Sequence, residues 1–245
     1  MDQQAPQEFI LEAFADPPSV RDVVKGILHT IFFHRFFPSV SPRSREVLDV
    51  TLPYVADAEL DTMIERRADE LAQQLDAERI NNNNSAKTAI GGSRGGGGGG
   101  GAAGLGIGGV GGGGGGDGRG TITVQFFEKK RRKAWYGGRD EEVCWESWTV
   151  KVTVAEPRTE SERAKVRAAM AQTLTATVMK LVTCVNSHKD HIPPITTSEA
   201  NPFPYQIHVS PSSGGGGAGG GAGDAAAPDA AAQARTGWTT RMGIY

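Results

Sequence analysis

The sequence predicts an α+β fold, with helices packed on one face of a mainly antiparallel sheet. Three observations carry this. Apolar residues recur at steps of three and four in three separate stretches, the marks of three amphipathic helices. Segments of strict apolar–polar alternation lie before, between and after those stretches. Two low-complexity tracts, residues 81–120 and 211–235, interrupt the pattern without contributing to it.

The elements follow in order. Residues 8–14 read as a strand with Phe9, Leu11 and Ala13 on one face, and Pro17-Pro18 ends it. Ser19 followed by Asp22 resembles a capping box. The helix it opens has apolar residues at Val20, Val23, Val24, Ile27, Leu28, Ile31 and Phe32, one continuous stripe. Residues 46–52 alternate as a strand, with Val47, Asp49 and Thr51 opposite Leu48, Val50 and Leu52. A second helix is expected over about 57–77, through Leu60, Met63, Ile64, Ala68, Leu71 and Leu75. After the glycine tract, strand pattern resumes at 121–127, and a charged segment, Glu128–Glu142, leads to another strand at 145–154. Thr159 with Glu162 forms a second capping box, opening a helix to about residue 187. At 1.5 Å per residue it would run about 40 Å, enough to be the central element of a small domain. Pro193-Pro194 and Pro202 mark a rigid loop before a last strand at 203–209.

One domain in two parts follows from this reading, residues 8–80 and 121–210. Residues 81–120 are expected to be a disordered glycine-rich insertion, 211–235 a disordered Gly/Ala linker, and 236–245 an ordered tail. Neither tract holds enough apolar surface to offset the entropy of ordering its backbone. Loop-closure entropy grows only logarithmically, about 0.6 kcal/mol per doubling of length, so a long insertion is tolerated on a surface loop.

Composition narrows the function classes. A formal net charge of −2 argues against a generally nucleic-acid-binding chain. Cys144 and Cys184 are too few for a disulfide framework and lack metal-ligand spacing. No signal-peptide pattern is visible at the N-terminus and no run of 18 apolar residues occurs, so a cytoplasmic protein is expected.

Several strings imitate chemistry. Gly91-Gly92-Ser93-Arg94-Gly95 matches a nucleophile elbow, and Gly104-Leu105-Gly106-Ile107-Gly108-Gly109 a dinucleotide-binding turn. Both motifs work only at a tight strand-to-helix turn, and a glycine run produces such matches by chance. His188, Asp190 and His191 read as a polar helix exit, not a metal site, because zinc needs about four fixed ligands. His29 and His34 read as packing or hydrogen-bonding residues. No acid–base or nucleophile constellation stands out, so no enzyme, cofactor or metal is expected.

Two features point to binding instead. The cation run Lys129, Lys130, Arg131, Arg132 and Lys133 is followed at once by Trp135, Tyr136 and a Gly-Gly turn. Large aromatics at a loop tip suit a protein anchor, an anionic membrane interface or base stacking, unless they fold back on the core. On the first helix, Gly26, His29, Thr30, Phe33 and Phe37 form a second, largely apolar or neutral face. A helix apolar nearly all round is central to a core or buried by a partner. Phe33 and Phe37 are accordingly candidate dimer-interface residues.

Longer blocks resemble a known family. Ser19–Arg35 (SVRDVVKGILHTIFFHR), Ile122–Lys133 (ITVQFFEKKRRK), Glu142–Val150 (EVCWESWTV), His191–Thr197 (HIPPITT), Asn201–Tyr205 (NPFPY) and the ending Met242-Gly243-Ile244-Tyr245 resemble the autophagy-related protein 101 family in its fungal form. The resemblance implies a HORMA domain that heterodimerises with the HORMA domain of autophagy-related protein 13 and stabilises it. It implies a subunit of the autophagy-initiation kinase complex, acting in the cytoplasm at the phagophore assembly site, with no catalytic residues. It also implies an aromatic finger that recruits downstream factors for autophagosome formation. Trp135 falls on the finger's tryptophan, and Tyr136 stands where the family has phenylalanine. The alternative from the residues alone is a nucleic-acid or anionic-membrane-binding module built on residues 129–136. Steep loss of binding with salt would distinguish that module from an apolar interface.

Overall fold

Alternation in the N-terminal segment makes β1, Gln7–Ala15, whose Phe9, Leu11, Ala13 and Ala15 are buried while Glu8, Ile10 and Glu12 face outward. Pro17-Pro18 then enforces a 3-10 turn, Pro17–Ser19, capped by the Asp16 carboxylate accepting from the Ser19 amide. The cap expected from Ser19 and Asp22 is absent, because Asp16 takes that work one turn earlier. Helix α1, Val20–Arg35, buries the whole expected stripe. In the computed structural model residues 5–37, 41–91, 118–131, 140–195 and 201–211 are described, within one compact unit, Met1–Ser212.

The segment expected to be one strand at 46–52 is a hairpin, β2 (Pro42–Val47) with β3 (Val50–Val55). Leu48 and Asp49 form its turn with φ of 51° and 64°. A two-residue loop of type I′ needs positive φ at both positions, normally supplied by Asn-Gly or Asp-Gly. Leu-Asp carries no such signal, so the turn hides inside an alternating pattern. Asp49 is tied to the third helix by its carboxylate, 3.2 Å from the Arg167 guanidinium. The hairpin lies so close on α1 that a Cβ at Gly26 would sit 2.6 Å from Leu52 Cδ1.

Helix α2 spans Ala58–Gly91 and buries Leu60, Ile64, Ala68, Leu71 and Leu75. It runs past the expected end near 77 and into the tract 81–120. The first part of that tract contains Asn, Ser, Ala, Lys, Thr and Ile but no glycine before Gly91, where the helix stops. Strands β4 (Gly118–Arg131), β5 (Asp140–Val154) and β6 (Tyr205–Pro211) join β1 in a four-stranded sheet of order β1-β5-β4-β6. Pairings β4–β5 and β4–β6 are antiparallel, and β1–β5 is parallel. The α+β prediction therefore holds, with a mixed sheet.

Helix α3, Glu160–Ser187, has the expected capping box: the Thr159 hydroxyl accepts from the Glu162 amide, and the Glu162 carboxylate accepts from the Thr159 amide. It is not the central element. It lies along β1, burying only Met170, Leu174, Thr177, Leu181 and Val185, while Met179 on its far side is 61 % exposed. Its side chains close the free edge of β1, with Thr177 Oγ1 donating to Glu12 O and Lys180 Nζ to Ile10 O. The helix is long and apolar enough by composition to cross a membrane, but its buried stripe is spent on the sheet. The central helix is α1, which touches α2, α3, β1 and both strands of the β2–β3 hairpin.

Candidate functional site

The functional region builds from a difference in strand length. Ile122, Val124 and Phe126 on β4 face Val150, Trp148 and Glu146 on β5. At that level β4 also pairs with β6, ending at Phe126↔Tyr205, and β5 with β1, ending at Gln7↔Glu146. Both flanking strands stop where Phe126 faces Glu146, but β4 and β5 continue together to Arg131↔Asp140. Among the described residues, the ladder beyond Phe126 has no strand on either side. It is a two-stranded arm extending the sheet.

A bulge between Phe126 and Phe127 marks the arm's root, where the local twist changes. The Phe127 amide donates to Pro204 O at 2.8 Å, tying the root to the NPFPY loop. Trp145 is buried there, its ring 5.2 Å from Phe203 and 5.9 Å from Phe126. Phe37 leans edge-on against Phe203 at 5.3 Å. Burial pushes the Cys144 thiol pKa up, which makes this root cysteine a poor nucleophile.

The arm sorts the expected cation run. Lys129 stands opposite Glu142, Lys130 opposite Glu141, and Arg131 opposite Asp140. Lys130 Nζ also lies 3.2 Å from the Glu128 carboxylate on its own strand. The acids on β5 are what the sequence reading missed. Their signal is present in Asp140-Glu141-Glu142, which mirrors Lys129-Lys130-Arg131 about the intervening residues. Arg132, Lys133, Trp135 and Tyr136 lie outside the described residues.

Below the arm sits a buried ionic cluster, also missed. Glu146 is fully buried, and its carboxylate accepts from Arg35 Nε at 2.8 and 2.9 Å, from His191 Nε2 at 2.6 Å and from Trp148 Nε1. Arg35 donates onward to His34 O and, at 3.4 Å, to His188 O. One carboxylate thus joins the end of α1, strand β5 and the loop after α3. His191 is held in this cluster and is not part of a solvated helix exit; His188 closes the helix through a ring contact with Cys184 O. In a strand, Glu146 shares a face with Phe126 and Trp148, and a carboxylate there must be paired to be tolerated.

The second face of α1 divides. Gly26, His29 and Thr30 are buried inside the chain, with His29 Nε2 3.2 Å from Asp61 and its ring 4.3 Å from Tyr54. Burial lowers the His29 pKa below its ordinary value, outweighing the raising effect of Asp61. Burial, with help from Arg35, also lowers that of His34. Only Phe33 and Phe37 are exposed, at 37 % and 39 %. Phe33 touches His34 edge-on near the end of α1, and Phe37, beyond that end, reaches the arm's root through Phe203.

Among the described residues no group of His, Cys, Asp and Glu could hold a metal ion. The described residues offer an extended arm and two exposed aromatics.

Comparison with known proteins gives this arrangement a context. The family model described as Autophagy-related protein 101 matches residues 12–199. Autophagy-related protein 101 of Schizosaccharomyces pombe is 25 % identical over 193 residues, covering 78 % of this chain and 80 % of the relative. The Arabidopsis thaliana protein of that name is 22 % identical over 225 residues, covering 84 % and 86 %. The Homo sapiens one is 23 % identical over 192 residues, covering 77 % and 75 %.

Proposed function

Starting from the fact that this chain belongs to the autophagy-related protein 101 family, we propose that it is a non-enzymatic adaptor of the autophagy-initiation kinase complex. In this reading its α+β body is a HORMA domain that pairs with the HORMA domain of autophagy-related protein 13 and stabilises it. The complex acts in the cytoplasm at the phagophore assembly site, and the β4–β5 arm presents Trp135 and Tyr136 to downstream factors during autophagosome formation. The observation that carries the reading is the arm itself. A ladder that outruns both neighbouring strands adds little to a core and has a use only if something meets its end.

The rival reading, a nucleic-acid or anionic-membrane module on residues 129–136, needs an unopposed cation surface. On the arm, acids stand opposite Lys129, Lys130 and Arg131, which lowers the net field available to a polyanion.

Phe33, near the end of α1, and Phe37, just beyond it, support the dimer as exposed aromatics at the end of a largely buried helix. Phe33→Asp should abolish co-purification with the HORMA domain of autophagy-related protein 13, while the thermal melt of the isolated chain stays within a few degrees, since an exposed site contributes about 0.5 kcal/mol or less. Wild-type co-purification should survive high salt. Retained pairing by the variant would place the interface elsewhere, and a salt-labile complex would favour the polyanion reading.

A further inference from the structure

A two-stranded ribbon without neighbours is marginally stable in water. The arm lies past the last pairing of β1 and β6, and above the root contacts of Phe127 with Pro204 and of Trp145 with Phe203 neither described strand pairs with a second strand. Of those side chains, Phe127, Val143 and Cys144 are half-buried at the root. Further out the residues are charged, with Lys129, Lys130 and Arg131 opposite Glu142, Glu141 and Asp140. Directly opposed residues in an antiparallel pair bring their Cβ atoms within about 5 Å, close enough for opposite charges to stabilise and like charges to destabilise. The 3.2 Å contact between Lys130 Nζ and the Glu128 carboxylate, two residues apart on β4, adds an alternation of sign along one face.

We propose that Lys129, Lys130, Glu141 and Glu142 are positioning residues: their facing charges stiffen the arm whose two strands residues 132–139 connect. This rests on the reading of the arm as the presenting element. The charges would then serve no polyanion, and the arm's order would depend on ionic strength as the body's does not. The Debye length shrinks from about 10 Å at 0.1 M to about 3 Å at 1 M salt, so exposed pairs lose most of their attraction over that range.

The experiment measures amide hydrogen exchange in the full-length chain, together with autophagic flux in cells. Glu141→Lys with Glu142→Lys sets like charges opposite each other and should speed exchange at 127–131 and 140–144 about tenfold at low salt. Salt should speed arm exchange in the wild type and slow it in this variant. Adding Lys129→Glu and Lys130→Glu restores opposite pairing with the strands exchanged, and should restore protection, salt response and flux. A role in strand propensity or side-chain bulk would not be rescued by that exchange. Failure of the four-residue swap to restore protection overturns the proposal, as does normal flux in the doubly reversed variant once its arm protection is lost. Trp135→Ala with Tyr136→Ala separates the two layers. Normal flux in that variant removes the presenting role, whatever the exchange data say of the ladder.

Discussion

The β4–β5 ladder is divided by the bulge at Phe126/Phe127 into two halves with different surroundings. In its lower half Ile122, Val124, Trp148 and Val150 are wholly buried, and each strand has a second neighbour. In its upper half, above Phe126 and Glu146, the outward residues are charged and neither strand has a second neighbour among the described residues. The pairing is antiparallel on both sides of the bulge. What differs is where the side chains put their free energy: the lower half excludes water, and the upper half balances charge in water. Substitutions below should unfold the chain, whereas substitutions above should leave it folded and change what it meets.

The sharpest challenge to that division lies on its border. Glu146 is the last β5 residue with a β1 partner and is fully buried among Arg35, His191 and Trp148. Glu146→Ala leaves the Arg35 guanidinium buried without its carboxylate and should cost about 3–5 kcal/mol. Urea denaturation should show a large drop in midpoint with an unchanged slope. A drop below about 1 kcal/mol would mean that the cluster is open to water and that the border is softer than drawn.

Solution conditions should divide the halves as mutations do, with a smaller effect. Burial holds the pKa of His29, in the body, below its ordinary value. The unfolded chain therefore binds its proton first as pH falls. Stability should drop between the ordinary histidine pKa and the lowered folded value, by at most about 1.4 kcal/mol per pH unit, and level off below. His34, shifted in the same direction, adds to the slope. His29→Gln should flatten the curve. An unchanged slope in that variant would assign the pH dependence to His34 or elsewhere. The arm is expected to answer to salt and not to this titration.

How far the sequence could foretell these halves follows from the same physics. The lower half could be read directly, because alternation of Ile122, Val124 and Phe126 and of Trp148, Val150, Val152 and Val154 is the burial pattern itself. The arm was harder. Lys129–Lys133 is conspicuous as a run of five cations, but its meaning changes once register sets acids opposite, and register is a long-range property. Glu146 was invisible for a similar reason: its partners Arg35 and His191 come from distant segments. The Leu48-Asp49 turn and the run of α2 to Gly91 were misjudged locally, one for want of a glycine and the other through treating an Asn- and Ala-containing stretch as part of the glycine tract.

The smallest expected change in stability, and the most telling for function, lies beyond the arm. Trp135 and Tyr136 fall midway through residues 132–139, which connect Arg131 to Asp140. If the pair is a presented anchor, as proposed, truncating both to alanine should alter the unfolding free energy by about 0.5 kcal/mol or less. Pairing with the HORMA domain of autophagy-related protein 13 should persist, since the proposed patch at Phe33 and Phe37 lies on α1 and the chain that follows it. Autophagic flux should nevertheless fail, because losing an aromatic anchor commonly costs about 2 kcal/mol or more in binding. Loss of a few kcal/mol of stability would instead mean that the aromatics pack against the body, as cavity formation requires. Neutralising Lys129 and Lys130 while keeping the aromatics gives the converse test. If that damages function more than removing Trp135 and Tyr136, the arm works by charge, and the upper half of the hairpin belongs to the polyanion reading.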